Sequence, residues 1–260
     1  MKQHFKKNNG ASSDSSDGMP ADTSVAHSTV PYARTTQRLP FTIRVVADEP
    51  ALLKAVEVRR SAYARHLPEL ATRMCEPDLA DREAGTAILL AESKLDGAPL
   101  GTMRIQTNRL APLALEQSVK LPPWLKGRRL AEATRLGVAG GQIGRVVKTM
   151  LFKALFLYCQ QRDIEYMVIT ARAPIDREYE TMLFEDVFPD LGYIPMQHVG
   201  NLPHRILAGR VAEAESRWQA IGHPLFTLVF QTSHPDIGRL DLDLSFVEDP
   251  VGFAEQQYGM

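Results

Sequence analysis

Residues 130–171, LAEATRLGVAGGQIGRVVKTMLFKALFLYCQQRDIEYMVITA, predict a strand, a long helix and a second strand in direct succession. Apolar residues recur at helical spacing through the middle of this stretch, which predicts a helix over 143–161. The segment 130–139 before it has strand character, and 165–171 after it is short and apolar enough to be a central strand. A long helix between two strands is typical of a crossover, so these strands are expected to lie parallel in one sheet.

The segments on either side also alternate between strands and helices. Before this unit, strands are predicted at 41–46, 86–93 and 99–107 and a helix at 50–66, with Asp96 and Gly97 turning between two strands. After it, helices are predicted at 176–188 and 204–220 and strands at 192–199 and 224–232. The order predicts an α/β fold on a mixed sheet, mainly antiparallel early, with one parallel crossover in the middle.

Composition and charge exclude several classes of protein. The 260 residues carry 30 Lys or Arg against 31 Asp or Glu, so a generally basic nucleic-acid binder is excluded. Two cysteines, Cys75 and Cys159, are too few for a disulfide framework and lack the spacing of a zinc site. Without a long apolar run or a signal-like start, we expect a cytoplasmic protein.

Three regions differ in composition. Residues 1–40 are rich in Ser and Thr and poor in large apolar residues, which predicts a disordered segment. The folded domain is predicted over 41–232. Residues 233–260 are predicted to be an acidic tail, either packed as an arm or free.

The junction between the 130–139 strand and the following helix is rich in glycine. Gly140, Gly141 and Gly144 allow backbone N–H groups to turn toward an anion, and Arg145 and Lys148 lie in or near the first helical turn. The spacing fits neither a Walker loop nor a dinucleotide fingerprint. A phosphate-binding loop and a plain glycine-rich turn therefore both remain open.

Charged residues also recur in segments predicted to be buried. In chain order they are Arg59 with Tyr63 four residues later, Asp78, Asp81, Arg104, Glu132 and Arg135. A charge inside a strand is costly unless it is paired, so Arg104, Glu132 and Arg135 need partners, for which the two aspartates are candidates. These residues form either a functional site or a structural ion-pair network.

This ordered set resembles the acyl-homoserine-lactone synthases and the related N-acyl amino acid synthases. Those families have an Arg with an aromatic residue one turn later, paired aspartates, Gly-x-x-Arg in a strand and then Glu-x-Ser/Thr-Arg, which reads Glu132-Ala-Thr-Arg135 here. The likeness covers roughly residues 41–232. The absence of Trp between Arg59 and Asp81 favours the amino acid synthase branch.

The stretch 130–171 is in turn similar to the acyl-coenzyme A motif of the GNAT acyltransferase superfamily. That likeness implies a mostly antiparallel, twisted GNAT-like sheet flanked by helices, with the strands 130–139 and 165–171 splayed apart around a pantetheine arm. The family's glycine motif is matched only in part, by Gln142-Ile-Gly-Arg145, which disfavours ordinary acetyl-coenzyme A use.

The resemblance implies acyl transfer, with a long-chain fatty acyl group moving from acyl carrier protein to the amine of an amino acid. Acyl-phosphopantetheine or acyl-coenzyme A is then a donor substrate, and no bound cofactor, metal or nucleic acid is expected. Contact with a membrane would come only through the lipid product. The alternatives are a lactone-synthase-like signal synthase, a small-acyl enzyme using acetyl-coenzyme A, and a catalytically silent acyl-binding module.

The same resemblance suggests residue roles. Glu132 is the expected base, and Arg104 or Arg135 would clamp the acceptor carboxylate. Glu132 and Arg135 share one face of a strand only if a β-bulge lies between them. The expected substrate-binding set is Arg59, Tyr63, Asp78, Asp81, Arg104 and Arg135. The expected donor-binding set is Val138, Ala139, Gly140, Gly141, Gly144 and Arg145. The expected carrier-protein docking set is Lys126, Arg128, Arg129 and Lys148, basic residues that suit an acidic partner.

The remaining reactive side chains give weaker signals. Cys159, inside the predicted long helix, is expected to be a buried thiol without catalytic function. The histidines lack metal-ligand spacing and are each expected to be ordinary loop or surface residues, namely His66, His198, His204 and His223.

Overall fold

The computed structural model describes residues 35–240, which form ten strands and five helices. The strands are β1 (Thr35–Thr36), β2 (Phe41–Val45), β3 (Thr86–Ser93), β4 (Pro99–Thr107), β5 (Leu130–Val138), β6 (Tyr166–Ala171), β7 (Glu185–Asp186), β8 (Ile194–Met196), β9 (Leu202–Arg210) and β10 (Thr232–Ser233). The helices are α1 (Glu49–Ala64), α2 (Pro68–Ala71), α3 (Gly141–Gln161), α4 (Asp176–Thr181) and α5 (Val211–Ala220). None of the helices in this part of the chain has the length and apolar character needed to cross a membrane.

The main sheet has the strand order β2-β3-β4-β5-β6-β9-β7, with β8 also paired to β9. Only β5 and β6 run parallel, joined through α3, and the other neighbours are antiparallel. The predicted fold class, a mixed and mostly antiparallel sheet flanked by helices, is therefore confirmed.

Helices cover both faces of this sheet. The apolar stripe of α3, including Val147, Leu151 and Leu155, is fully buried against one face. On the other face α1 begins at an Asp48 cap, whose carboxylate accepts from the Ala51 N–H at 2.8 Å. A Cβ at Gly137 of β5 would lie only 3.0 Å from the α1 backbone, so glycine there allows α1 to lie directly on the middle of the sheet.

The predictions are least accurate in the last third of the described chain. The helix predicted at 204–220 is a strand to Arg210 followed by the shorter α5, and the helix predicted at 176–188 ends at Thr181. The strand predicted at 224–232 is instead a π-helical turn, in which Phe230 packs edge to face on Phe156 and Trp218. A short continuous apolar run fits a buried helical turn as well as a strand, so periodicity alone does not separate them.

The predicted domain boundaries also need correction. Residues from 35 onward already belong to the fold, because β1 pairs with β10 and the Leu39 N–H donates to Asp236 at 2.7 Å. Leu240 is fully buried, so the folded part extends past the predicted limit of 232. The predictions of disorder before residue 35 and of an acidic tail after residue 240 lie outside the described residues.

Candidate active site

The parallel central strands separate partway along their length. β5 pairs with β6 only where Leu130–Ala133 faces Tyr166–Ile169, and the rest of β5 continues to Val138 without that partner. The opening created by this splay contains a cavity of about 370 Å³ with both polar and apolar walls. Its lining includes Tyr63, Leu67, Thr134, Arg135, Leu136, Val138, Lys148, Thr170, Tyr179, Val199 and His204.

A β-bulge lies at the mouth of this splay. Arg104 on β4 faces Thr134, but Thr102 faces Gly137, so β5 carries one extra residue between these pairs. Arg135 occupies the bulge with φ of 55°, in the left-handed region that few side chains adopt. Its guanidinium lies beside that of Arg104, on the sheet face that α1 covers, because both contact Asp78.

Asp81 is the centre of a buried ion-pair cluster on this face. The Arg59 guanidinium donates to both of its oxygens, at 2.9 and 3.0 Å, and Arg104 Nη1 adds a third contact at 3.3 Å. The backbone N–H of Asp78 donates to it as well, at 2.8 Å. Burial alone would raise the pKa of Asp81, but the bonds from Arg59 and the charge of Arg104 outweigh it, so this pKa is lowered.

Arg104 and Arg135 differ in how much of each guanidinium is occupied. Arg104 is buried and bonded to Thr134, Asp78 and Asp81, and burial lowers its pKa. Arg135 lines the cavity and uses Nε and Nη2 on Asp78, while its Nη1 is buried without a hydrogen-bond partner. Of these two arginines, Arg135 is the one that lines the cavity and has a donor without a partner.

Glu132 lies on the same face of the sheet, completely buried beside the short helical turn at Ala114–Gln117. Its Oε2 accepts from the Leu115 N–H at 3.1 Å, whereas its Oε1 has no hydrogen-bond partner. Burial raises the pKa of Glu132 to about 7, more than the Leu115 bond and the charge of Arg104 lower it. This carboxyl group can therefore hold or release a proton near neutral pH.

The structure adds His198, which the sequence suggested was an ordinary residue. Its Nε2 lies 4.0 Å from Glu132 Oε1 and 3.5 Å from Thr170 Oγ1, and its Nδ1 is buried without a partner. Burial, helped by the charges of Arg135, His204 and Arg104, lowers the pKa of His198 to about 4. No spacing motif could have linked His198 to Glu132, because the contact depends on how the β8–β9 segment folds back.

The predicted donor loop is tightly built. Gly140 precedes the first turn of α3, and Gly141 has φ of 75°. A Cβ at Gly144 would lie 1.8 Å from the Ala139 carbonyl oxygen, so no larger residue fits without moving the loop. The Ala139 N–H already donates to Leu100 at 2.8 Å, which removes it from the expected donor-binding groups.

The four predicted docking residues come from two different parts of the fold. Lys126, Arg128 and Arg129 precede the first residue of β5, and Arg128 pairs with Glu165 at 3.1 Å. Lys148 lies on α3, about two turns after its first residue, and pairs with Glu178. Lys148 lines the cavity, whereas the other three residues are not among its lining.

The remaining side chains give no sign of metal or thiol chemistry. Cys159 is buried as predicted, and its burial raises the pKa of its thiol. Within residues 35–240, no three His, Cys, Asp or Glu side chains are grouped closely enough to hold a metal ion.

The described residues have a GNAT-like fold, a mixed and mostly antiparallel sheet flanked by helices. Among solved structures, the chain is similar to FeeM, an N-acyl amino acid synthase from uncultured soil microbes, at 18% identity with a TM-score of 0.54. That match covers 68% of this chain and 93% of FeeM. The acyl-homoserine-lactone synthase LasI matches at 14% identity and a TM-score of 0.44, over 66% of this chain and 90% of LasI. No protein-family model and no curated protein sequence matches the chain.

Proposed function

We propose that the protein is an N-acyltransferase that joins a long-chain fatty acyl group to the amine of an amino acid. The observation that carries this proposal is the cavity of about 370 Å³ between the splayed strands, which combines an incompletely bonded arginine with a nearby carboxyl group that titrates near neutral pH. FeeM, which shares the fold, is described as an N-acyl amino acid synthase.

The acceptor end of the cavity suits a carboxylate. Three guanidinium groups, of Arg59, Arg104 and Arg135, face only the two aspartates Asp78 and Asp81. Arg135 lines the cavity, and its buried Nη1 donor has no hydrogen-bond partner. An amino acid carboxylate would supply an acceptor for this donor and a charge that suits a guanidinium group.

The donor end is the part of β5 that has no partner on β6. An acyl-phosphopantetheine arm is extended and carries amide groups, so it can lie along Thr134–Val138 and place its thioester near the bulge. The amine nitrogen then attacks the thioester carbon and the carbon–sulfur bond breaks. The leaving sulfur takes the second proton of the attacking nitrogen, so the phosphopantetheine thiol leaves still attached to its carrier protein. The proton that the ammonium must lose first passes to the buried carboxylate of Glu132.

A carrier protein would deliver this arm near the start of α3. Arg65 and Arg172 line the cavity, and Arg145 is exposed one turn before Lys148 on α3. These basic residues complement an acidic partner and lie closer to the cavity than the basic residues at 126–129 do.

The activity can be tested by mass spectrometry of lipids from cells that express the protein or its Glu132→Gln variant. We expect new N-acyl amino acids only with the native protein, and their masses would identify the chain length and the acceptor. A small acylated amine would favour the acetyl-coenzyme A alternative, and an acyl lactone would favour a signal synthase. No product from a well-folded protein supplied with purified acyl carrier protein and amino acids would contradict the proposal and favour a silent module.

The donor site can be tested by reversing charge at each end of β5. Arg145→Glu with Arg172→Glu should raise the KM for acyl carrier protein at least about tenfold, because steering depends on local charge. The matched control, Arg128→Glu with Arg129→Glu, should leave this KM within about twofold. Equal effects of the two double variants would exclude docking near α3.

A further inference from the structure

Glu132 has no open route to the cavity in which the proposed reaction takes place. Its side chain is 0% exposed, and it is not among the residues that line the cavity. One of its oxygens is held by the Leu115 N–H, and the other faces His198 Nε2 at 4.0 Å. A proton that leaves a substrate in the cavity therefore needs an intermediate group to reach this carboxylate.

His198 and Thr170 lie along the required route. Thr170 lines the cavity, and its Oγ1 lies 3.5 Å from the same Nε2 atom that faces Glu132. A hydroxyl can accept one proton while it donates another. Contacts of this length in a protein without substrate commonly shorten when the reacting complex forms.

We propose, on the basis of the proposed function, that Thr170 and His198 form a proton relay from the substrate amine to Glu132. The ammonium gives a proton to Thr170 Oγ1, and the original hydroxyl proton passes to His198 Nε2. His198 then releases a proton to Glu132 Oε1, so the amine becomes neutral and the carboxylate becomes a carboxylic acid. No bond between heavy atoms changes in these steps, and His198 ends the sequence in its starting state.

The electrostatic surroundings set the direction of this transfer. Arg104 and Arg135 from the sheet and His204 from β9 face His198 and disfavour a lasting positive charge on its ring. Burial raises the pKa of Glu132, and the negative charge of Glu116 raises it further. Glu132 therefore holds a proton more tightly than His198 does. A proton that reaches His198 therefore moves on to Glu132 rather than staying on the ring.

The link between the two groups can be measured without any substrate. In ¹³C-histidine-labelled protein, the His198 ring signal, assigned with His198→Asn, should shift near pH 7 as Glu132 ionises, well above the ring's own titration near pH 4. This shift should disappear in Glu132→Gln. If the native protein shows no such shift near pH 7, the relay is overturned whatever the activity of the protein.

The relay step itself is tested with matched threonine variants. Thr170→Val removes the hydroxyl while keeping the shape, and it should lower kcat with acyl carrier protein and amino acids about 10²-fold with little change in KM. Thr102→Val is the control, because that hydroxyl is buried on β4 without a hydrogen-bond partner, and its kcat should stay within about twofold. His198→Asn should lower kcat as Thr170→Val does and regain part of it with added imidazole.

The outcomes separate the relay from the proposed function. Native turnover in Thr170→Val would overturn the relay while leaving the acyltransferase activity established. Absence of turnover in the native protein would contradict the proposed function, and the histidine titration would then still decide whether His198 and Glu132 are coupled.

Discussion

Two buried carboxyl groups, on the face of the sheet that α1 covers, have opposite properties. Asp81 accepts four hydrogen bonds, from Arg59, Arg104 and the Asp78 backbone, and its pKa is lowered. Glu132 is buried to the same degree but keeps one oxygen without a partner, and its pKa is raised to about 7. Burial is common to both, so the number of donors decides which carboxylate is a structural ion and which can exchange a proton.

The largest expected effect is loss of stability when the Asp81 cluster is broken. Arg59→Met leaves a buried carboxylate short of its main partner, which should cost about 3–5 kcal/mol in the free energy of unfolding. Urea denaturation followed by circular dichroism measures this cost. The double variant Arg59→Met with Asp81→Leu should recover part of it, since the buried carboxylate is then gone and Arg104 keeps its bond to Asp78. A cost of less than about 1 kcal/mol would mean that the ion pairs of Asp81 do not stabilise the fold.

A somewhat smaller effect should appear in the pH dependence of stability at Glu132. Its folded pKa of about 7 exceeds the usual 4.5, so the folded state binds the proton more tightly and loses this advantage as the pH rises through 7. Relative to Glu132→Gln, the native protein should lose about 3 kcal/mol of unfolding free energy between pH 5 and pH 9.

The comparison with Glu132→Gln is needed because His198 acts in the opposite direction. The folded pKa of His198 is lowered to about 4, so its contribution to stability grows as the pH rises from 4 to 6.5. Both proteins contain His198, and the difference between them isolates Glu132. A difference that does not change with pH would place the pKa of Glu132 in its ordinary range.

A third, smaller effect concerns the incompletely bonded Arg135. Arg135→Gln should raise the KM for the amino acid about 10- to 100-fold, because the carboxylate loses a charged hydrogen-bond donor. The KM for the acyl donor should remain nearly constant in steady-state assays. An amine without a carboxylate serves as the control acceptor, and its KM should be the same for both proteins. An equal rise for both acceptors would mean that Arg135 shapes the cavity instead of binding the carboxylate.

The smallest effect is expected at an exposed ion pair. Arg128 is about half exposed where it meets Glu165, so Arg128→Ala should change the free energy of unfolding by less than about 1 kcal/mol. Thermal unfolding at low and high salt checks this value. A much larger loss would show that the exposure of an ion pair does not predict how much it stabilises this protein.

The sequence predicted the hairpin β3–β4 and the crossover from β5 through α3 to β6 because their periodicity and turn residues agree. It also predicted the aspartates as partners of Arg104, and the family resemblance placed Arg59 in the same substrate-binding set. The sequence indicated only that Glu132 and Arg135 share a face if a β-bulge lies between them. It did not predict the bulge itself, because nothing in Glu132-Ala-Thr-Arg135 determines a positive φ. Local pattern is sufficient where propensity, periodicity and turn chemistry point to the same structure.

The parts that the sequence did not predict depend on distance in three dimensions. His198 reaches Glu132 only because the β8–β9 segment folds over the end of the sheet, and no pattern in the sequence reports that contact. The basic residues 126–129 and Lys148 were assigned to one docking set, yet only Lys148 lines the cavity. The prediction of one helix over 204–220 is wrong in its first half, because the strand β9 runs to Arg210 and α5 follows it without a loop.

The splay between β5 and β6 has a consequence for solubility. A strand without a neighbour normally invites pairing with another chain and so promotes aggregation. Here the unpartnered part of β5 lies inside the molecule, enclosed by residues of α1, α2, β9 and α4. This edge of β5 is therefore covered by neighbouring elements and is not presented to a second protein strand.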